Sequence, residues 1–61
     1  MDQLLKERCN RFISTFKTPV ARFARMVGLS YSGYYQWYRG DLEFSESTKH
    51  RIDSYLNRFG F

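Results

Sequence analysis

At 61 residues, with a formal charge of +4 and one residue in five aromatic, the chain is one domain at most, and its aromatic content excludes a disordered segment. A single cysteine excludes an internal disulfide framework, and Cys9 with His50 is too small a set for a structural zinc site. With one histidine, no Gly-rich phosphate loop and no nucleophile beside an acid–base partner, an enzyme is not expected, and no catalytic residue, metal or cofactor is assigned.

A domain of this size buries only about 60% of the surface its unfolded chain exposes, so the aromatics must build the core. The apolar periodicity is helical throughout, which predicts an all-α fold. The first helix is expected from Asp2 to Phe16, with Leu5, Cys9, Phe12, Ile13 and Phe16 on its inner arc. Cys9 reads as a small buried hydrophobe. Thr18 is expected to cap a second helix, Pro19 to Val27, in which Pro19 takes the first helical position. Its inner face is Val20, Phe23, Ala24 and Val27, and Arg22 and Arg25 point outward. Gly28 ends it. Leu29 follows as an apolar plug, and Ser30 caps a third helix, Tyr31 to Arg39, stopped by Gly40. On that helix Tyr34, Trp37 and Tyr38 form an inward arc. Ser32, Tyr35, Gln36 and Arg39 form the outward one, with Tyr31 and Gly33 at its margins. After a loop from Asp41 to Phe44, Ser45 caps a fourth helix whose inner face is Thr48, Ile52, Tyr55, Leu56 and Phe59. His50 lies on its exposed face, and Gly60 closes it.

The charge is uneven. Residues 1–27 hold Lys6, Arg8, Arg11, Lys17, Arg22 and Arg25 against Asp2 and Glu7, whereas residues 28–61 balance four cations with four carboxylates. A basic half in so small a chain points to a polyanion, nucleic acid first. No apolar run approaches the roughly 20 residues of a membrane span. The N-terminal stretch has no signal-peptide core. With its lone cysteine, the chain is expected in the cytoplasm.

Val20 to Gly40 is a helix, a Gly-containing turn and a second short helix, which is the helix-turn-helix arrangement. Phe23-Ala24, Gly28-Leu29-Ser30, Tyr34, Trp37 and Gly40 stand in the register of the lambda-repressor/Cro family of phage and bacterial DNA-binding domains, and residues 28–40, GLSYSGYYQWYRG, resemble that family's turn and recognition helix. The resemblance covers about residues 16–59. Val20 and Tyr31 stand where many members carry glutamine, and the family's fifth helix is missing or reduced to Arg58–Phe61.

The resemblance implies a compact four-helix lambda-repressor-like domain over residues 1–61, with its helix-turn-helix core at about 19–40. It implies a sequence-specific transcriptional regulator, a small repressor or Cro-like protein that inserts the helix 31–39 into the major groove of double-stranded DNA. Base readout then falls to Tyr31, Ser32, Tyr35, Gln36 and Arg39, and phosphate contact to Thr18, Arg22, Arg25 and Ser30. A homodimer on a palindromic operator is expected, with Phe59 and Phe61 at the twofold interface. The alternative is a protein-binding module on the same scaffold, such as a phage-encoded inhibitor of a host nucleic-acid enzyme. Its motivation is Tyr31 and Tyr35 on the outward face, since tyrosine is also enriched at protein–protein hot spots.

Overall fold

In the computed structural model, which describes residues 2–61, four helices follow one another: α1 (Asp2–Phe16), α2 (Val20–Met26), α3 (Tyr31–Arg39) and α4 (Glu46–Arg58). No strand occurs among the described residues, so the fold is all-α. None of the helices is long and apolar enough to cross a membrane among the described residues.

Each helix stops in the same way. The amide of Leu29 donates to the Ala24 carbonyl at 2.8 Å and that of Gly28 to Arg25 at 3.0 Å, with Gly28 left-handed at φ 81°. This paired closure satisfies carbonyls that the end of a helix would leave bare. Gly40 and Gly60 close α3 and α4 likewise. At the end of α1 the left-handed position is Lys17, at φ 51°, and the Thr18 amide donates to the Ile13 carbonyl at 3.1 Å.

That last closure corrects the expected cap of α2. The Thr18 amide closes α1, the N-cap position of α2 falls one residue later on Pro19 with ψ 140°, and no side chain caps the helix. The other two caps form as expected. The Ser30 hydroxyl accepts from the Gly33 amide at 3.0 Å, and the Ser45 hydroxyl from the Thr48 amide at 3.3 Å.

α1 packs on α4 and α2 on α3, around one core of Leu5, Cys9, Phe12, Phe23, Ala24, Val27, Tyr34, Trp37, Ile52 and Leu56. Phe12 is its aromatic hub, with the rings of Phe16, Phe23, Tyr55, Phe59 and Phe61 4.8–5.7 Å away. Cys9 is fully buried, and that burial pushes its thiol up to about 11, which keeps it protonated and inert.

Polar straps add to the α1–α4 contact. Arg8 donates to Asp53 at 2.5 Å, to Asn57 at 2.8 Å and to the Phe61 carbonyl at 2.6 Å. Lys49 pairs with Asp2 at 3.2 Å, and the same carboxylate accepts the Trp37 indole N–H at 3.3 Å. Phe44 stacks on Trp37 at 5.0 Å, and the Lys6 ammonium lies 5.3 Å from the ring centroid.

Three aromatics depart from the helical wheel. Tyr38 is exposed at the border of the core, where its hydroxyl meets Asn10 of α1. Phe16 and Phe59 are about half exposed, because they lie at the ends of α1 and α4 and pack on each other at 6.1 Å instead of beneath another element.

Candidate nucleic-acid interface

The turn between α2 and α3 sets the direction of α3. Leu29 tucks half-buried against the core, and Ser30 restarts the helix immediately. Behind α3, Phe23 meets Tyr34 edge-on at 5.9 Å and Tyr34 meets Trp37 at 5.7 Å. Ala24 is completely buried, so a larger side chain there would displace its neighbours. These contacts fix which side of α3 faces water.

All five residues expected to read bases are exposed on that side: Tyr31, Ser32, Tyr35, Gln36 and Arg39. Four of them are brought together in pairs, and Arg39 meets Asp41 of the following loop. Tyr31 and Tyr35 form an edge-to-face pair at 5.1 Å. Desolvation, then the neighbouring Tyr35 hydroxyl, raises the Tyr31 pKa, so this hydroxyl stays neutral and able to donate. Gln36 Nε2 donates to the Ser32 hydroxyl at 3.2 Å, and Arg39 pairs with Asp41 at 3.3 Å. The Arg39 pair is well exposed on both sides and worth about 0–1 kcal/mol, so a phosphate or a guanine edge can displace it.

The expected phosphate contacts divide. Arg22 and Arg25 are exposed on α2 without an acidic partner among the described residues. Thr18 is half-buried, and the Ser30 hydroxyl accepts from the Gly33 amide, which leaves its O–H free to donate. Of the expected twofold-interface residues, Phe59 is exposed, while Phe61 folds back half-buried onto Phe12 and Phe16.

One cation beside the turn was not singled out by the sequence. Arg51 of α4 donates from Nε to the Val27 carbonyl at 3.0 Å, which places its guanidinium beside the turn. On a helical wheel it is only another solvent-side arginine, and no local signal joins it to α2. Among the described residues, no three His, Cys, Asp or Glu side chains converge where they could hold a metal ion. Comparison with protein-family models, curated proteins and solved structures finds no significant match to this chain.

Proposed function

We propose that the chain is a sequence-specific DNA-binding regulator of the repressor or Cro type, in which α2, the turn and α3 act as a helix-turn-helix and α3 enters the major groove. The observation that carries this reading is the division of α3. Tyr34 and Trp37 are buried and hold the helix, while Ser32, Tyr35, Gln36 and Arg39 stand exposed on the other side of it. Gln36 suits adenine N6/N7, and Arg39 suits guanine or a phosphate. Tyr31 and Tyr35 suit thymine methyls. Arg22 and Arg25 would grip the backbone without regard to sequence. Such a regulator works in the cytoplasm by occupying promoter DNA. Two copies on a palindromic operator would pair through the exposed parts of Phe16 and Phe59.

Selection from a pool of random duplex DNA tests this. The expected result is one enriched site with twofold symmetry. Gln36→Ala should then cost about 1–3 kcal/mol at one base position, and Arg22→Ala should weaken all sequences alike. Failure to enrich any sequence at low salt sinks the reading.

The edge-to-face pair of Tyr31 and Tyr35, half exposed and apolar, favours a second reading as a protein-binding module on the same scaffold. A stoichiometric protein partner that is lost on Tyr35→Ala and insensitive to DNA would select it.

A further inference from the structure

α4 divides its charges between two grooves. On the α1 side both groove cations are paired, Lys49 with Asp2 at 3.2 Å and with Glu46 at 3.1 Å, and Arg8 with Asp53 at 2.5 Å, while His50 lies between the two grooves and lines both. The groove on the α2 side, about 450 Å³ in volume, has Met26 and Val27 on one wall and Ser47, Arg51, Ser54 and Arg58 on the other. Its lining contains no carboxylate. Arg51 and Arg58 are exposed and have no acidic partner among the described residues. Arg22 lies outside this lining but one turn before Met26 on the same stripe of α2, exposed and without an acidic partner among the described residues.

The geometry suits a chain of phosphates better than a single small anion. Arg51 and Arg58 stand two helical turns apart on α4, about 10 Å along its axis, with Ser47 and Ser54 on the same groove wall, so the donors form a row and not a single point. The Val27 carbonyl, which would otherwise aim partial negative charge at an anion, already accepts from Arg51 Nε. That bond fixes the Arg51 guanidinium beside Gly28 and leaves its terminal amino groups without a partner among the described residues. Arginine is well suited to phosphate because its planar fork presents several fixed donors.

We propose that the α2–α4 groove is a second nucleic-acid contact, which holds phosphates of the duplex backbone through Arg22, Arg51 and Arg58, with Ser47 and Ser54 donating hydroxyls. It rests on the reading of the chain as a DNA binder, but not on α3 as the element that reads bases. The groove adds affinity without sequence preference and carries the footprint past α2 and α3 onto α4.

The test is a salt series of binding isotherms, by fluorescence anisotropy, on a random-sequence duplex and on the selected duplex. Wild type is compared with Arg58→Ala and Arg51→Gln, and circular dichroism checks that each variant is folded. Arg51→Gln keeps a donor for the Val27 carbonyl, and the Arg58 side chain makes no hydrogen bond or ion pair among the described residues, so both variants are expected to fold. Each is expected to reduce the slope of log K against log salt by about 0.9 and to weaken both duplexes by the same factor. Folded variants with the wild-type slope overturn the groove, even if the selected site is still preferred, and in that case the proposed function stands. A duplex bound with no base preference but with the reduced slope supports the groove and removes α3 as reader. No binding to any duplex overturns both.

Discussion

A methyl group placed on the α carbon of Gly28 would lie 3.4 Å from the guanidinium carbon of Arg51. That is ordinary contact, so space does not forbid a side chain in the turn. The backbone does: φ is 81°, where an L-residue meets its own carbonyl. Gly28→Ala is therefore expected to lower stability by about 1–2 kcal/mol, measured by urea unfolding. A change of less than a few tenths would mean that the turn relaxes out of the left-handed region.

Lys17 occupies the same conformation with a full side chain. Lys17→Gly should relieve that strain, partly offset by the greater freedom of glycine in the unfolded chain, for a net gain of about 0.5–1 kcal/mol. A thermal midpoint at or below that of the wild type would show that the strain at Lys17 is no larger than the cost of glycine's greater freedom in the unfolded chain.

Trp37 is about 1% exposed and is the largest buried side chain. Trp37→Ala should cost about 3–5 kcal/mol, enough to unfold a domain this small. An unchanged thermal transition would place the indole outside the core.

The buried Tyr34 hydroxyl has no hydrogen-bond partner in good geometry among the described residues. The Cys9 thiol beside it is a weak one, and burial raises the tyrosine pKa far above its usual range. Removing the hydroxyl removes an unsatisfied polar group. Tyr34→Phe is expected to be neutral or to stabilise by up to about 1 kcal/mol, read from the denaturation midpoint. A loss of more than that would reveal a hydrogen bond of substance at this hydroxyl.

Acid should loosen the contact between α1 and the rest of the fold. Lys49 first, and Trp37 after it, hold the Asp2 carboxyl below its ordinary value of 3.8, and Arg8 does the same for Asp53. A depressed carboxyl contributes stability that is complete above the unfolded pKa and is lost as pH falls through the folded one. Stability should thus be flat with respect to these groups above about pH 5 and decline below about pH 4. The double variant Asp2→Asn with Asp53→Asn should be less stable than wild type at neutral pH and show a shallower acid limb. An acid limb parallel to that of wild type would assign the acid sensitivity to other groups.

Much of this fold was legible because its punctuation is local. Ser30 and Ser45 before apolar periodicity, and glycine after it, mark helix ends within a few residues, and the spacing of Phe23, Ala24, Tyr34 and Trp37 marks their buried faces. What escaped was set by particular contacts that periodicity does not encode, some between near neighbours and some across the fold. Thr18 looks like a cap until the left-handed turn at Lys17 draws it into the end of α1. The wheel puts Tyr38 inside, but which tyrosine a neighbouring helix covers depends on where α1 crosses, and Asn10 meets it at the surface. Arg51 and Arg58 look like solvated charge on α4, because the end of α2 beside them lies about two dozen residues earlier. The outward arc of α3 was readable from periodicity alone. The pairing of its side chains, Gln36 with Ser32 and Arg39 with Asp41, was not.

The surroundings of Trp37 have an optical consequence. The chain has one tryptophan, stacked on Phe44 from the loop before α4, with an ammonium and a carboxylate supplied by Lys6 and Asp2 of α1. If α1 swings away, the indole loses both charges and gains water while keeping its stacking partner. Its emission therefore monitors the docking of the first helix.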